Sequence, residues 1–463
     1  MEDTTDPVRK ADYYHEHGMW KESEAILLEL VRRNPDDFDA YYRLGCLQEE
    51  LLEYNQACTY FLSALQLQPD NFNVLYKLAG IAMLVGHLDD AADYYRRCLA
   101  INEGSLRANY NMGLICYRRN DWLGAAKYFS IAAELGDDYP DIWYMLGMSL
   151  KAIGRWQQAE ESMRKAVEVS PDRAEIHFHL GDILLHLQQF EAAEKFFQNS
   201  VKIAPENPQY WLGLGRLYFQ WGKNDLAREK LQTVMEIDKN NDTAQLLLKS
   251  LNGQQVTRMP GELLASMFNQ CSESFDSYMV NELKYSLPKQ LRDAVSTCCR
   301  KLDQPQQFDW VLDLGCGTGL ASEQFMPVSK TMVGVDISPG MIEQAKAKNI
   351  YQKLVCGDLL QVMDSAVHKY NLVLAADVFI YIGDLEKTFA AVSRHTVPGA
   401  WFAFSIECGE GEADYILNRS GVFAHSPAYI ARLAARCGFD VTLEKLSENQ
   451  NFPNVMIYVL RKS

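Results

Sequence analysis

Residues 311–319 read Val-Leu-Asp-Leu-Gly-Cys-Gly-Thr-Gly, with glycine at 315, 317 and 319. The run that enters this stretch, Phe308–Leu314 (FDWVLDL), is a short apolar segment suited to a buried parallel strand. Glycines at alternate positions then allow a tight strand-to-helix turn and let a ligand approach bare backbone. A helical stretch, Leu320–Met326, follows. A second strand, Thr331–Val335, ends at Asp336, seventeen residues after Gly319. A carboxylate there can accept both hydroxyls of a ribose, by the logic of dinucleotide folds. The spacing G-x-G-x-G, in place of G-x-G-x-x-G, argues against a pyrophosphate-bearing ligand. A third strand, Lys353–Val355, leads to Asp358, placed to meet an adenine amine, and a fourth, Tyr370–Ala375, runs out at Asp377. Ala400–Ile406 follows the Pro398-Gly399 turn as a fifth strand, and Val441–Leu446 with Val455–Leu460 suit a closing antiparallel hairpin.

Upstream, the pattern is of another kind. Rows of 34 residues starting at 4, 38, 72, 106, 140, 174 and 208 align without an insertion. The eighth column is small throughout (Ala11, Gly45, Ala79, Gly113, Gly147, Gly181, Gly215), as is the twentieth (Ser23, Ala57, Ala91, Ala125, Ala159, Ala193, Ala227). The twenty-fourth is bulky: Leu27, Phe61, Tyr95, Phe129, Met163, Phe197, Leu231. Small residues let two helices of a row cross closely while bulky ones fill the space beside the crossing. Pro35, Pro69, Pro171 and Pro205 close four rows, where proline cannot continue a helix. This array resembles the tetratricopeptide-repeat family over residues 4–241. Asp242–Leu251 reads as a capping helix and Asn252–Arg258 as a linker. The expected domains are therefore 4–253, all-α superhelical repeats with a cap, and 254–463, with lid helices in 259–305. Column five (Tyr42, Tyr76, Tyr110, Tyr144, Phe178) should face the concave groove, either packing between repeats or contacting a protein or peptide partner.

The segments VLDLGCGTG, VGVDISPGMIEQAKAK, LVCGDL and YNLVLAADVFIYIGDL together resemble class I S-adenosylmethionine-dependent methyltransferases across about residues 260–463. Within that class the chain is similar to ubiquinone-biosynthesis and malonyl-carrier methyltransferases, and to bacterial methyltransferases carrying tetratricopeptide repeats. The resemblance implies an α/β Rossmann-like domain with a seven-stranded, mostly parallel sheet. It also implies that Asp313, Gly315, Gly317 and Gly319 approach the methionine part of S-adenosylmethionine. Asp336 and Ile337 would hold the ribose and adenine edge, Met341 would pack near the adenine, Asp358 and Leu359 would bracket the base, and Asp377 would lie by the sulfonium.

The acceptor side is less defined. His425 is the only histidine after His395, with an ordinary pKa near working pH, so it is a candidate base or substrate-orienting group beside Tyr381. A loop-fixing hydrogen bond is its plainer use. Phe268, Phe275 and Tyr278 are expected mainly as core of a lid helix, and Glu407–Glu412 as a solvated acidic loop.

Composition narrows the rest. The 463 residues carry a net charge of −16, with 27 basic against 38 acidic residues through Arg258 and 18 against 23 after it. Neither half has the basic footprint of a nucleic-acid binder. No Asn/Asp-Pro-Pro-aromatic turn for a flipped base follows the fourth strand, where Ala376-Asp377-Val378-Phe379 stands. Eleven scattered cysteines without C-x-x-C or zinc-type spacing read as reduced thiols and give no metal site. With no apolar stretch of membrane-spanning length and no signal-like start, a cytoplasmic protein with no membrane association is expected. Three readings follow: a methyltransferase acting on a protein, peptide or carrier-bound acceptor recruited by the repeats, a small-molecule O- or N-methyltransferase whose repeats serve assembly, and an adaptor with a non-catalytic cofactor domain.

Overall fold

A computed structural model describes residues 6–136, 141–409, 412–447 and 454–463. Residues 4 and 5, residues 137–140 at the junction of the fourth and fifth rows, and Glu410 and Gly411 of the acidic loop lie outside the described residues. The chain forms two compact units, Met1–Pro171 and Asp172–Ser463.

The first unit consists of helix pairs such as Phe38–Glu50 with Tyr54–Leu67 and Leu106–Arg118 with Trp122–Leu135. Asp37, Asn71 and Ser105 start the leading helices by accepting a main-chain N–H in the first turn. The small and bulky columns meet as packing demands. A Cβ added at Gly45 would stand 2.5 Å from the Phe61 ring, and one at Gly113 would stand 2.6 Å from Phe129. Phe61 and Phe129 are fully buried. A further column emerges at the turn between paired helices, where Leu52, Gly86, Asn120 and Gly154 all have positive φ.

The second unit begins with the pairs Ala174–His186/Phe190–Ile203 and Pro208–Trp221/Asn224–Ile237 and the cap helix Asp242–Leu251. Its strands are β1 (Phe308–Leu314), β2 (Ser329–Asp336), β3 (Lys353–Cys356), β4 (Tyr370–Ala375), β5 (Thr396–Cys408), β6 (Tyr415–Leu417), β7 (Phe423–His425), β8 (Phe439–Leu446) and β9 (Val455–Lys462). They form one sheet in which β3, β2, β1, β4 and β5 lie side by side and parallel. β9 runs antiparallel to β5 and carries β8 on its other side. The seven expected strands are all present. The addition is the β6–β7 hairpin. β4 pairs with β5 only as far as Phe404, so the free end of β5, Glu407–Cys408, takes up Ala424–His425.

Alternate side chains of the strands feed two cores. Leu312, Leu314, Phe402 and Phe404 pack with Phe379 and Phe389 on one face. Val311, Leu372 and Ala403 pack with Leu291 and Val295 of the helix Leu287–Lys301 on the other. Burial on both faces explains why these strands read as continuous apolar runs. All eleven cysteines are free thiols. No helix among the described residues is long and apolar enough to cross a membrane.

Candidate functional site

The strand ends of β1, β2 and β4 open into a cavity of about 340 Å³, within the range of small-molecule sites. Its floor is the glycine turn. Gly315 and Gly317 have φ of 61° and 54°, conformations that side chains other than glycine adopt at a cost. A Cβ at Gly315 would meet Val378 at 2.5 Å, whereas one at Gly317 would meet nothing within 4 Å, because that position faces open space.

Asp336, at the end of β2, is 9% exposed. Its Oδ2 accepts the Gly317 N–H at 2.8 Å and its Oδ1 the Ser338 N–H at 2.8 Å, so it ties the turn to the next helix. Burial raises its pKa, and the amides oppose the shift. Asp358 caps the helix Leu359–Asp364 through Oδ1, which accepts the Leu360 N–H at 3.0 Å. Its Oδ2 pairs with the Arg258 guanidinium. Burial works to raise the Asp358 pKa, but Arg258 and the cap amides outweigh it and hold the carboxyl below its usual range. Ile337, Met341 and Leu359 supply apolar wall between these two carboxylates.

Asp377 follows β4 with φ of 54°, an uncommon conformation for a side-chain-bearing residue. Its Oδ2 accepts the Tyr285 hydroxyl at 2.8 Å and its Oδ1 the Ser405 hydroxyl at 3.1 Å, while its own N–H donates to Ser405 Oγ at 2.8 Å. Burial raises its pKa against these two hydrogen bonds. Tyr381 also lines the cavity, its ring edge-on to Phe268 at 5.6 Å.

A lid covers this floor. The helix Gly261–Cys271 places Phe268 on the cavity, and the short turn Phe275–Ser277 adds Phe275. Asn269 Oδ1 accepts the Ser338 hydroxyl at 2.7 Å and the Gly340 N–H at 2.9 Å. Asp276 accepts the Thr318 hydroxyl and pairs with Lys348, which also meets Glu323 at 2.9 Å. Ahead of the lid, the linker forms a strap. Thr257 O accepts the Gly383 and Asp384 N–H groups, at 2.8 and 2.9 Å, and Met259 N–H donates to Tyr381 O at 2.9 Å.

Of the expected cofactor residues, Gly315, Gly317, Asp336, Ile337, Met341, Asp358, Leu359 and Asp377 line one cavity. Asp313 and Gly319 do not. Asp313 is 1% exposed beneath the turn, where its Oδ2 accepts Ser322 Oγ–H at 2.7 Å and Tyr351 O–H at 2.9 Å. Its Oδ1 is buried with no hydrogen-bond partner among the described residues, and burial lifts its pKa to about 6. Gly319 starts the following helix, packed under Ile350 and Tyr351. His425 is a correction of a different order. It is fully buried behind the cavity wall, and Nε2 contacts the carbonyls of Ile382 and Gly383 at 2.9 and 3.1 Å. Two carbonyl acceptors require that nitrogen to carry the proton. Burial lowers the pKa to about 4, so the ring stays neutral and fixes the loop rather than facing an acceptor.

Arg258, Met279, Leu283 and Tyr285 also line the cavity and were not anticipated. Phe268 and Phe275, seven residues apart, do reach it, whereas Tyr278 does not.

Comparison with known proteins places this geometry. Residues 312–404 match the family described as methyltransferase domain. Residues 38–71, 76–140, 144–208 and 208–241 match tetratricopeptide-repeat models. The chain is 28% identical over 169 residues to a ubiquinone biosynthesis O-methyltransferase of Thiobacillus denitrificans, covering 32% of this chain and 72% of that one. It is 31% identical over 97 residues to a malonyl-[acyl-carrier protein] O-methyltransferase of Serratia marcescens, covering 20% of this chain and 37% of the relative. A solved S-adenosylmethionine-dependent methyltransferase from Clostridium acetobutylicum aligns at 20% identity over 42% of this chain and 99% of its own, with a TM-score of 0.34. With the glycine turn, the strand-end carboxylates and the repeat columns in place, the chain is a tetratricopeptide-repeat protein carrying an S-adenosylmethionine-dependent methyltransferase domain.

Proposed function

We propose that this protein methylates a protein, peptide or carrier-bound acceptor that the repeat groove recruits, and that it does so in the cytoplasm without nucleic acid or membrane. The carrying observation is the row of carboxylates Asp336, Asp358 and Asp377 along one cavity above the glycine turn. S-adenosylmethionine fits that set. Gly317 leaves backbone open to the methionine part, Asp336 and Ile337 suit the ribose and adenine edge, and Met341, Asp358 and Leu359 suit the base. Asp377 offers a carboxylate to the sulfonium.

The bound cofactor supplies an activated methyl group with a good leaving group. The chain's own residues are then left to align the acceptor, exclude water and accept a proton where one must leave. Phe268, Phe275 and Tyr381 line the cavity and would exclude water from it. Among the described residues, no cluster of three or more His, Cys, Asp or Glu side chains is gathered as for a metal ion.

Support for recruitment comes from column five. Tyr42, Tyr76, Tyr110 and Tyr144 are half-buried, and Tyr42, Tyr76 and Tyr110 each lean on the column twenty-four ring of their own repeat at 5.6–5.9 Å. Phe178 is likewise half-buried against Phe197 at 5.7 Å. All five side chains are partly exposed. The carrier-bound substrate in the name of the Serratia relative is of the same kind. We place the sequence-level domain boundary at residues 253–254.

The test is methyl transfer from labelled S-adenosylmethionine into lysate by the full chain and by Asp172–Ser463, which keeps a whole compact unit. Loss of labelled protein or carrier in the shorter form supports recruitment by the repeats. Equal labelling of a small acceptor by both forms refutes it.

A further inference from the structure

Resting on the placement of Asp377 at the sulfonium, we infer that Tyr285 is a positioning residue that acts through Asp377. Its hydroxyl, brought in at the end of the lid, holds that carboxylate for the positive sulfonium of S-adenosylmethionine. It thereby sets how far the charged cofactor is preferred over the neutral thioether S-adenosylhomocysteine.

Asp377 is divided between two elements. β5 holds one side: Ser405 Oγ accepts the Asp377 N–H at 2.8 Å and donates to Oδ1 at 3.1 Å. The other oxygen, Oδ2, accepts the Tyr285 hydroxyl at 2.8 Å. Ser405 is fully buried within the sheet. Tyr285 is fixed from its own side. Its N–H donates to the Met279 carbonyl at 2.9 Å, closing the turn Tyr278–Glu282. Its ring packs against the core that includes Leu287 and Leu291 of the next helix. One hydrogen bond therefore belongs to the sheet, and the other comes and goes with the lid segment.

The charge layout gives that second bond its weight. Among the described residues lining the cavity Arg258 is the one cation, and Asp358 holds it. A buried carboxylate with no cation beside it takes up a proton readily and loses its charge. Burial pushes Asp377 that way, and the two hydroxyls push back. The other titratable groups facing it are Tyr381 after β4 and Glu407 on β5, with Asp313 under the glycine turn acting on Tyr285. None of these supplies a positive charge. Burial and Asp377 itself lift the Tyr285 hydroxyl well above its usual range, so it remains a donor at working pH. A sulfonium carries no N–H or O–H, so what it gains over a thioether at this carboxylate is charge alone.

The full chain is titrated calorimetrically with S-adenosylmethionine and with S-adenosylhomocysteine, and the ratio of the two Kd values is followed with pH. Tyr285→Phe should cut the preference for S-adenosylmethionine by about fivefold or more while S-adenosylhomocysteine affinity stays within about threefold. In that variant the preference should also be lost at a higher pH than in wild type, because Asp377 has one donor fewer to keep it ionised. In an Asp377→Asn background, Tyr285→Phe should change the ratio no further. Replacing Tyr285 with 3-fluorotyrosine, a stronger donor of nearly the same shape, should move that pH downward, and it serves as the test if the phenylalanine variant does not fold. A ratio unchanged by Tyr285→Phe, or equal weakening of both ligands, overturns the inference and leaves Asp377 at the sulfonium. A ratio unchanged by Asp377→Asn removes that placement and this inference with it.

Discussion

Asp336 offers the sharpest perturbation of the cofactor site, because its two oxygens already do separate jobs. One accepts the Gly317 N–H and the other the Ser338 N–H, each at 2.8 Å, in a residue 9% exposed. In Asp336→Asn the single amide oxygen can serve only one of those donors, and the other faces an NH2 group. A buried N–H left without an acceptor costs about 1–3 kcal/mol of stability. The same change replaces a charged acceptor with a neutral one on the ribose side, where a hydrogen bond to a charged group is worth about 1.5–3 kcal/mol. At about 1.4 kcal/mol per tenfold, cofactor affinity should fall by ~10- to 150-fold. Asp336→Ala, which removes both acceptors, should fall at least as far and unfold at lower denaturant. Calorimetric titration with S-adenosylmethionine and S-adenosylhomocysteine, beside denaturant melts of the same samples, reads both quantities. If both variants bind within about threefold of wild type, then Asp336 does not face the ribose, and the assignment of the turn as a cofactor floor is wrong.

Two further outcomes follow from other parts of the unit. For His425 the folded pKa of about 4 lies below the ordinary 6.5, so the unfolded chain binds its proton first as pH falls. The stability tied to this ring is complete above pH 6.5 and lost between 6.5 and about 4, a difference of about 3 kcal/mol at 1.36 kcal/mol per unit. His425→Gln should flatten that acid slope in denaturant melts while leaving S-adenosylhomocysteine affinity unchanged; an unchanged slope would contradict the buried, neutral ring. Asp276 holds the lid to Thr318 and to Lys348, in a pair that is 36% and 19% exposed. Allowing for solvent screening, such a pair is worth about 1 kcal/mol, so Asp276→Ala should release S-adenosylhomocysteine roughly fivefold faster in stopped-flow, and an unchanged release rate would mean that the lid is held elsewhere.

What could be read from sequence was what repeats or what sits next to itself in the chain. Gly45 and Phe61 are sixteen residues apart, and a small and a bulky residue recur at that spacing in every row, so their close packing shows as two columns. The turn Gly315–Gly319 and the strand-end aspartates are likewise local signatures. The pairs Arg258–Asp358 and Tyr285–Asp377 join residues 100 and 92 apart, set by how the strap and lid return to the sheet, and leave no periodic trace. Of the two uses open to His425, the structure shows the loop-fixing one and not the base: its partners are main-chain carbonyls of Ile382 and Gly383, which no sequence pattern marks.

The linker shows most clearly what a one-dimensional boundary conceals. Asn252–Arg258 looks like a joint between a repeat array and an enzyme, yet Gln255 donates to the Tyr415 hydroxyl at 2.6 Å and Thr257 accepts from the loop after Tyr381. Leu246 of the cap helix shares an apolar cluster with Met259, Leu264 and Phe423, against which Phe268, Ile337 and Tyr381 pack. Arg419, in the β6–β7 turn, donates to the Phe219 carbonyl and to Asn224 of the last repeat, at 2.8 and 2.7 Å. Cutting the chain at residue 253 would therefore strip the support from the lid and from the wall that carries Tyr381, and the resulting loss of activity would say nothing about recruitment. A cut after Pro171 leaves all of these contacts in place and removes Tyr42, Tyr76, Tyr110 and Tyr144, so it is the cut that tests recruitment by the repeats.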